Sequence, residues 1–218
     1  MSRLRILLMG LGAMVLLGGC EQLFSTNVFS GLHRDPSKLS YDEQIAYGES
    51  ALSSGDADVM ADAYDALSES LEKEDNSDPE LNGLAVELAI GGSGLKDIFS
   101  DLLEAAVDGA FSNEQDLADA LDDELDEVDY DYINEAVDQV DLIKANGGEV
   151  KKEQYVLVAV GLLMREAEAA GGVENLDPTD ADVEEAEDFV NDAINDLDSR
   201  GETSDILDDL QDLYSGLP

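Results

Sequence analysis

Tyr155 to Met164 reads YVLVAVGLLM, ten residues without a charge in a chain where 29% of residues are charged. A helix that is apolar on every side is one that the fold surrounds. Ten residues are too few to cross a bilayer, which needs roughly 20. Tyr155, Val156 and Val158 would suit a buried strand, but no second strand pattern exists to pair with it. The stretch therefore reads as a central buried helix, with Gly161 placed for the close approach of a neighbour.

Outward from it, apolar residues recur at helical three-four spacing. A first helix runs from Ser40, which makes a capping box with Glu43, to about Leu52, and Ser53-Ser54-Gly55 end it. Asp56 caps a second, with Val59, Met60, Ala63, Tyr64, Leu67 and Leu71 on its stripe. Asp78-Pro79 opens a third, carrying Leu81, Leu84, Ala85, Leu88 and Ala89 and stopping at Gly91-Gly92-Ser93-Gly94. A fourth carries Leu95, Ile98, Phe99, Leu102, Leu103, Ala106 and Val107. A fifth, rich in aspartate, follows Ser112. A sixth runs from Tyr130 to Ala145 with Ile133, Ala136, Val137 and Val140 inward, and Asn146-Gly147-Gly148 close it. After the central helix, Pro178 and Thr179 open an eighth, with Val183, Ala186, Val190, Ile194 and Leu197. A ninth spans about Ser204 to Tyr214, with Ile206, Leu207, Leu210 and Leu213 inward. The expected fold is all-α: about nine antiparallel helices as helical hairpins, in an array or a compact bundle.

The amino terminus has a different grammar. Arg3 and Arg5 precede the charge-free run ILLMGLGAMVLL at residues 6–17, and Leu17-Gly18-Gly19-Cys20 follows. A basic start, a short apolar run and small residues before a cut describe a secretory signal. The last four residues resemble the lipobox of bacterial lipoproteins. That resemblance implies cleavage between Gly19 and Cys20, diacylglycerol on the Cys20 thiol and an acyl chain such as palmitate on the new amino terminus. Several chains on one cysteine anchor stably, where one would not. The division expected is a signal peptide at 1–19, a lipidated cysteine and tether at 20–38, and an acidic helical domain at 39–218. The resemblance places the chain in the cell envelope. Glu21, where aspartate would resemble an inner-membrane retention signal, points to the outer membrane in a cell with two membranes.

Charge narrows the function classes. The chain has 53 Asp plus Glu against 11 Lys plus Arg, and all the acids follow Cys20. Without Arg3 and Arg5, 53 acids face nine cations, a formal charge of −44. Phosphate contacts require Lys and Arg, so nucleic acid is not an expected partner. Adhesion to anionic headgroups is disfavoured likewise, which leaves lipid on Cys20 to hold the membrane. A hydrophobic content of 44% argues for a packed core in spite of the repulsion. Asp outnumbers Glu, 31 to 22, a profile similar to that of proteins from salt-loving organisms. At about 1 M salt the Debye length is roughly 3 Å and such repulsion is screened.

Catalytic chemistry finds little to work with. Cys20 is the only cysteine and His33 the only histidine, so neither a triad nor a cysteine-based zinc site can be assembled. The glycines at 91–94 follow a helix and lack a P-loop lysine. Asp56-Ala57-Asp58, Asp129-Tyr130-Asp131 and the run Asp177 to Asp182 resemble fragments of calcium loops, without the glycine and terminal glutamate of an EF-hand. No enzyme, cofactor or metal site is expected. Tyr41 to Leu71 resembles a tetratricopeptide helix pair, with Gly48 at a small position, a Gly55-Asp56 turn and Tyr64 at the aromatic position of the second helix. Met60 departs from that pattern, and no later copy recurs in a 34-residue register. The resemblance implies a protein-interaction scaffold with a protein partner. The alternative is an acidic binder of cations or a cationic solute. Tyr130 and Tyr132 stand close together in the acidic stretch; exposed, they would anchor a partner contact, but at least one is expected in the core, and neither is taken as a site.

Overall fold

The computed structural model describes residues 36–73, 78–98 and 127–217. Seven α-helices have both ends within them: α1 (Tyr41–Ser54), α2 (Ala57–Lys73), α3 (Pro79–Gly92), α4 (Tyr130–Ala145), α5 (Lys152–Ala170), α6 (Ala181–Ser199) and α7 (Asp205–Ser215). A helical turn at 95–98 makes eight. The described residues contain no strand. The all-α reading stands. The expected fifth helix, after Ser112, lies outside the described residues, as does the expected fourth beyond Ile98.

Local chemistry sets the helix limits. Glu43 reaches back to accept from the Ser40 amide at 2.9 Å, and Gly55 closes α1 at φ 68°, a conformation costly for residues with a Cβ. Carboxylates of Asp56, Asp78, Asp129 and Asp180 accept amide hydrogens from the first turns of α2, α3, α4 and α6 at 3.0–3.2 Å, as N-caps do. Pro178 and Thr179 do not start α6 as expected. Asp177 instead accepts from the Thr179 amide at 2.9 Å and hydroxyl at 2.7 Å, and this turn delivers Asp180 as the cap. Residues 36–38, within the expected tether, form a 3-10 turn against α2, and Gln44 Nε2 donates to the Pro36 carbonyl at 3.4 Å.

Contacts run in order along the chain. Each of the seven helices packs on the next, and α1–α3, α3–α5 and α5–α7 also touch. Odd-numbered helices therefore make one layer and even-numbered helices the other. This is the contact pattern of stacked helical hairpins. The expected central helix is α5, longer at both ends than its apolar run. Tyr155, Val156, Val158–Met164 and Ala167 are buried. Gly161 serves as expected: a Cβ there would stand 2.8–3.2 Å from three carbons of Ile133 on α4.

Five inward faces differ from the periodic reading; on α2 and α4 the expected Val59 and Val137 are only half-buried. On α3, Leu81 and Leu84 are half-buried while Val86 and Ile90 join the core, because neighbours cover α3 on several sides. Ala193 is buried in α6 where Ile194 was expected, and Tyr214 in α7 where Leu213 was. Gly91 and Gly92 do more than stop a helix. They lie inside α3, where a Cβ on Gly92 would meet the Ala61 backbone at 2.9 Å and one on Gly91 the Met60 sulfur at 2.3 Å.

The α3–α4 pair is separated by a long excursion that leaves and returns at one point. The Asp129 amide donates to the Ser93 carbonyl at 3.0 Å. From Tyr41 to Pro79 the step is 38 residues; from Pro79 to Lys152 it is 73. The excess of 35 equals the length of residues 94–128.

Two predictions follow from this packing. Gly92→Ala should destabilise by about 1–3 kcal/mol, since overpacking against backbone exceeds the gain in helix propensity. Gly83→Ala, with only Gln154 Nε2 at 3.7 Å, should stabilise by up to about 1 kcal/mol; thermal unfolding of both variants compares them. Replacing residues 99–126 by a short Gly-Ser linker should leave the α3–α4 pair intact, read as amide protection of both helices. Loss of that protection would show that the excursion is integral to the core.

Candidate functional site

Gly19 and Cys20, the expected cleavage and lipidation positions, and His33 lie outside the described residues. The acidic motifs lie within them. The carboxylates of Asp56, Asp129, Asp177 and Asp180 are engaged with backbone amides of their own turns. Among the described residues, no group of three or more His, Cys, Asp or Glu side chains is placed to hold a metal ion.

The most developed polar arrangement joins α2 and α4. The Tyr64 hydroxyl, on α2, donates to Glu135 Oε2 on α4 at 2.7 Å. In return the Tyr132 hydroxyl, on α4, donates to Asp65 Oδ1 on α2 at 3.2 Å. The two rings meet edge to face, 5.6 Å between centroids and 86° between planes, a favoured aromatic geometry. Tyr64 is in the core while Tyr132 is half-buried. Of the two tyrosines flagged in the sequence, Tyr132 thus belongs to this crossing, and Tyr130, also half-buried, packs on the core edge. Between α5 and α6, Tyr155 repeats the arrangement, donating to Asp196 Oδ2 at 3.1 Å. Where cations are scarce, phenol hydroxyls supply donors that carboxylates elsewhere find in Lys or Arg.

Burial and adjacent carboxylates shift these phenols in one direction. Tyr132 is pushed up to about 12 by burial first, then by Asp65, Asp129 and Asp62. Tyr47 on α1 is raised by burial, Asp62 and Asp56. Asp62 thus acts on both half-buried rings. Asp138 is raised by burial and by Glu135, Asp141 and Glu185, the last from α6. The surface around Tyr47 and Tyr132 pairs aromatic rings with carboxylates, a combination that suits Lys or Arg side chains.

The cations mark the remaining helix seams, a role periodicity did not reveal. Lys151 meets Glu87 at 2.7 Å and Lys144 meets Asp192 at 3.4 Å. Arg200 donates to Asp196 at 3.0 Å and to the Val150 carbonyl at 2.9 Å. Arg165 pairs with the buried Glu166 at 2.6 Å and bonds Asn134 across the α4–α5 seam. Gln154, buried at the head of α5, donates to the Gly83 carbonyl at 3.0 Å. Their one legible signal is scarcity: each polar residue flanking the apolar run of α5 is engaged at a seam.

An alkaline titration tests the crossed tyrosines. The folded protein holds the Tyr132 proton more tightly than the unfolded chain does. This contribution to stability is therefore complete below the ordinary tyrosine pKa of about 10 and is lost as pH rises through about 12. Denaturant midpoints across that window should fall for the parent and fall less steeply for Tyr132→Phe; equal slopes would remove Tyr132 from the account.

No family model matches the chain, and neither a curated protein nor a solved structure is significantly similar to it.

Proposed function

We propose that this chain is an envelope lipoprotein, anchored through lipid on Cys20, whose helical domain is a scaffold for a protein partner. The observation that carries the anchor is the sequence Leu17-Gly18-Gly19-Cys20 behind a charge-free run of twelve residues. Among the described residues no helix is long and apolar enough to cross a membrane, and lipid would supply the attachment that the acidic surface does not favour.

Stacked hairpins support the scaffold reading, because such layers present a long surface rather than a closed pocket. The tetratricopeptide likeness gains from one detail. Met60, too large for its position in that pattern, lies over Gly91, so bulk on α2 is matched by its lack on α3. The surface around Tyr47, Asp62, Asp65 and Tyr132 would receive a segment bearing Lys or Arg. This favours a basic protein segment over capture of free cations, since Asp56, Asp129, Asp177 and Asp180 of the candidate cation-binding runs are engaged as caps and turns.

The test has two arms. Cys20→Ser should move the protein from the detergent phase to the aqueous phase; unchanged partitioning would refute the anchor. A photo-crosslinker at position 58, exposed one helical turn before Asp62, in the lipidated protein in its own envelope, should enrich a partner that adding Asp62→Lys loses. Enrichment no greater than for an unrelated lipoprotein would refute the scaffold.

A further inference from the structure

We propose that α7 is a salt-gated latch: it closes on α5 and α6 when its carboxylates are screened and opens at low ionic strength while α1–α5 stay folded. The inference is independent of the anchor and of the scaffold reading.

Two separate features of the same seam carry it. The first is charge. α6 has eight carboxylates and α7 four, and neither helix contains a Lys or Arg. Among the described residues no ion pair reaches α7. Asp208 lies in the field of Asp205, Asp209 and Asp212 of its own helix and of Asp198 across the seam on α6. Asp205 and Asp208, in the first turn, gain from the helix dipole, which offsets part of the repulsion, but Asp209 and Asp212 lie beyond that turn. The second feature is the polar content of the buried face. Ile206, Leu207, Leu210 and Tyr214 point into the core. Tyr214 is 2% exposed, yet its hydroxyl has no hydrogen-bond partner, and the same is true of the buried Nη2 of Arg165. Both groups stand at the place where α7 meets the Arg165–Glu166 pair of α5, with Glu187 of α6 nearby. Unpartnered buried polar groups oppose closure.

What holds α7 shut is the packing of Ile206, Leu207, Leu210 and Tyr214, with half-buried Leu213 beside them, and the bond from Gln211 Nε2 to Asn191 Oδ1 at 2.6 Å. α6, by contrast, is tied to the rest by Tyr155–Asp196, Lys144–Asp192 and Arg200 to the Val150 carbonyl. Like charges on one helix face, or facing each other across a seam, are screened as the Debye length falls from about 10 Å at 0.1 M to about 3 Å at 1 M salt. Screening thus acts where the closing contacts are fewest.

Amide hydrogen exchange of the whole chain tests the latch. From about 0.1 M to about 1 M NaCl, protection of residues 205–215 should rise about tenfold relative to that of residues 152–170. Asp198→Asn with Asp208→Asn should give α7 at low salt the protection that the parent shows at high salt. Glu49→Gln with Asp58→Asn, an equal charge change at exposed positions of α1 and α2, should not. Parallel change of α5 and α7 at every salt concentration would overturn the proposal in favour of global unfolding. A far stronger effect of MgCl2 than of NaCl at equal ionic strength would overturn screening as the cause.

Discussion

A large excess of carboxylates over cations leaves burial of apolar side chains to do most of what holds this domain together. Each fully buried Leu or Ile contributes about 1.5–3 kcal/mol, and the core is one continuous cluster from Ala51 to Tyr214. Electrostatics enters mainly as a cost, and local geometry limits that cost. Carboxylates are set at helix starts, where the dipole and free amides favour them. Others accept from tyrosine hydroxyls at the α2–α4 and α5–α6 crossings. Lys144, Lys151, Arg165 and Arg200 are placed at seams, where they bridge two elements or secure a helix end.

Close approach is the second condition of the core. Small residues let helices sink toward each other, and the burial so gained is sensitive to one carbon. Gly92 lies on the α2 backbone, Gly91 beneath Met60 and Gly161 beneath Ile133. α3 and α5, which share these contacts, are the most enclosed helices. The seam at α7 lacks such a contact among the described glycines, and its two unpartnered polar groups are accompanied by others elsewhere, at Gln44, Asn82, Gln139 and Arg200.

The excursion between Ser93 and Asp129 reconciles two aspects of the chain. By sequence the first hairpin has no successor in register. In space the α3–α4 pair is that successor, separated by residues whose two ends meet. Without the 35 residues 94–128 the step from α3 to α5 would equal the 38 from α1 to α3, whereas the step from Lys152 of α5 to Asp205 of α7 is 53. Periodicity along the chain could not reveal this, because pairing across an excursion depends on where its ends meet.

The sequence by itself determined most of the described helices and several of their ends, through three-four periodicity and through Ser40, Asp78, Gly55 and Asn146-Gly147-Gly148, but not the start of α6, which Asp180 caps. These signals are local, set within a turn or two of backbone. It also determined the centrality of Tyr155–Met164, since no solvated face can be drawn on an uncharged run. The likeness of Leu17-Gly18-Gly19-Cys20 to a lipobox rests on sequence alone, as Cys20 lies outside the described residues. Only the tertiary structure decided which side of α3 faces inward, that Tyr214 and not Leu213 is buried, and that Tyr64 and Tyr132 exchange hydrogen bonds with Glu135 and Asp65. Those outcomes depend on partners about 70 residues away, and burial is fixed by what covers a residue rather than by its neighbours in the chain.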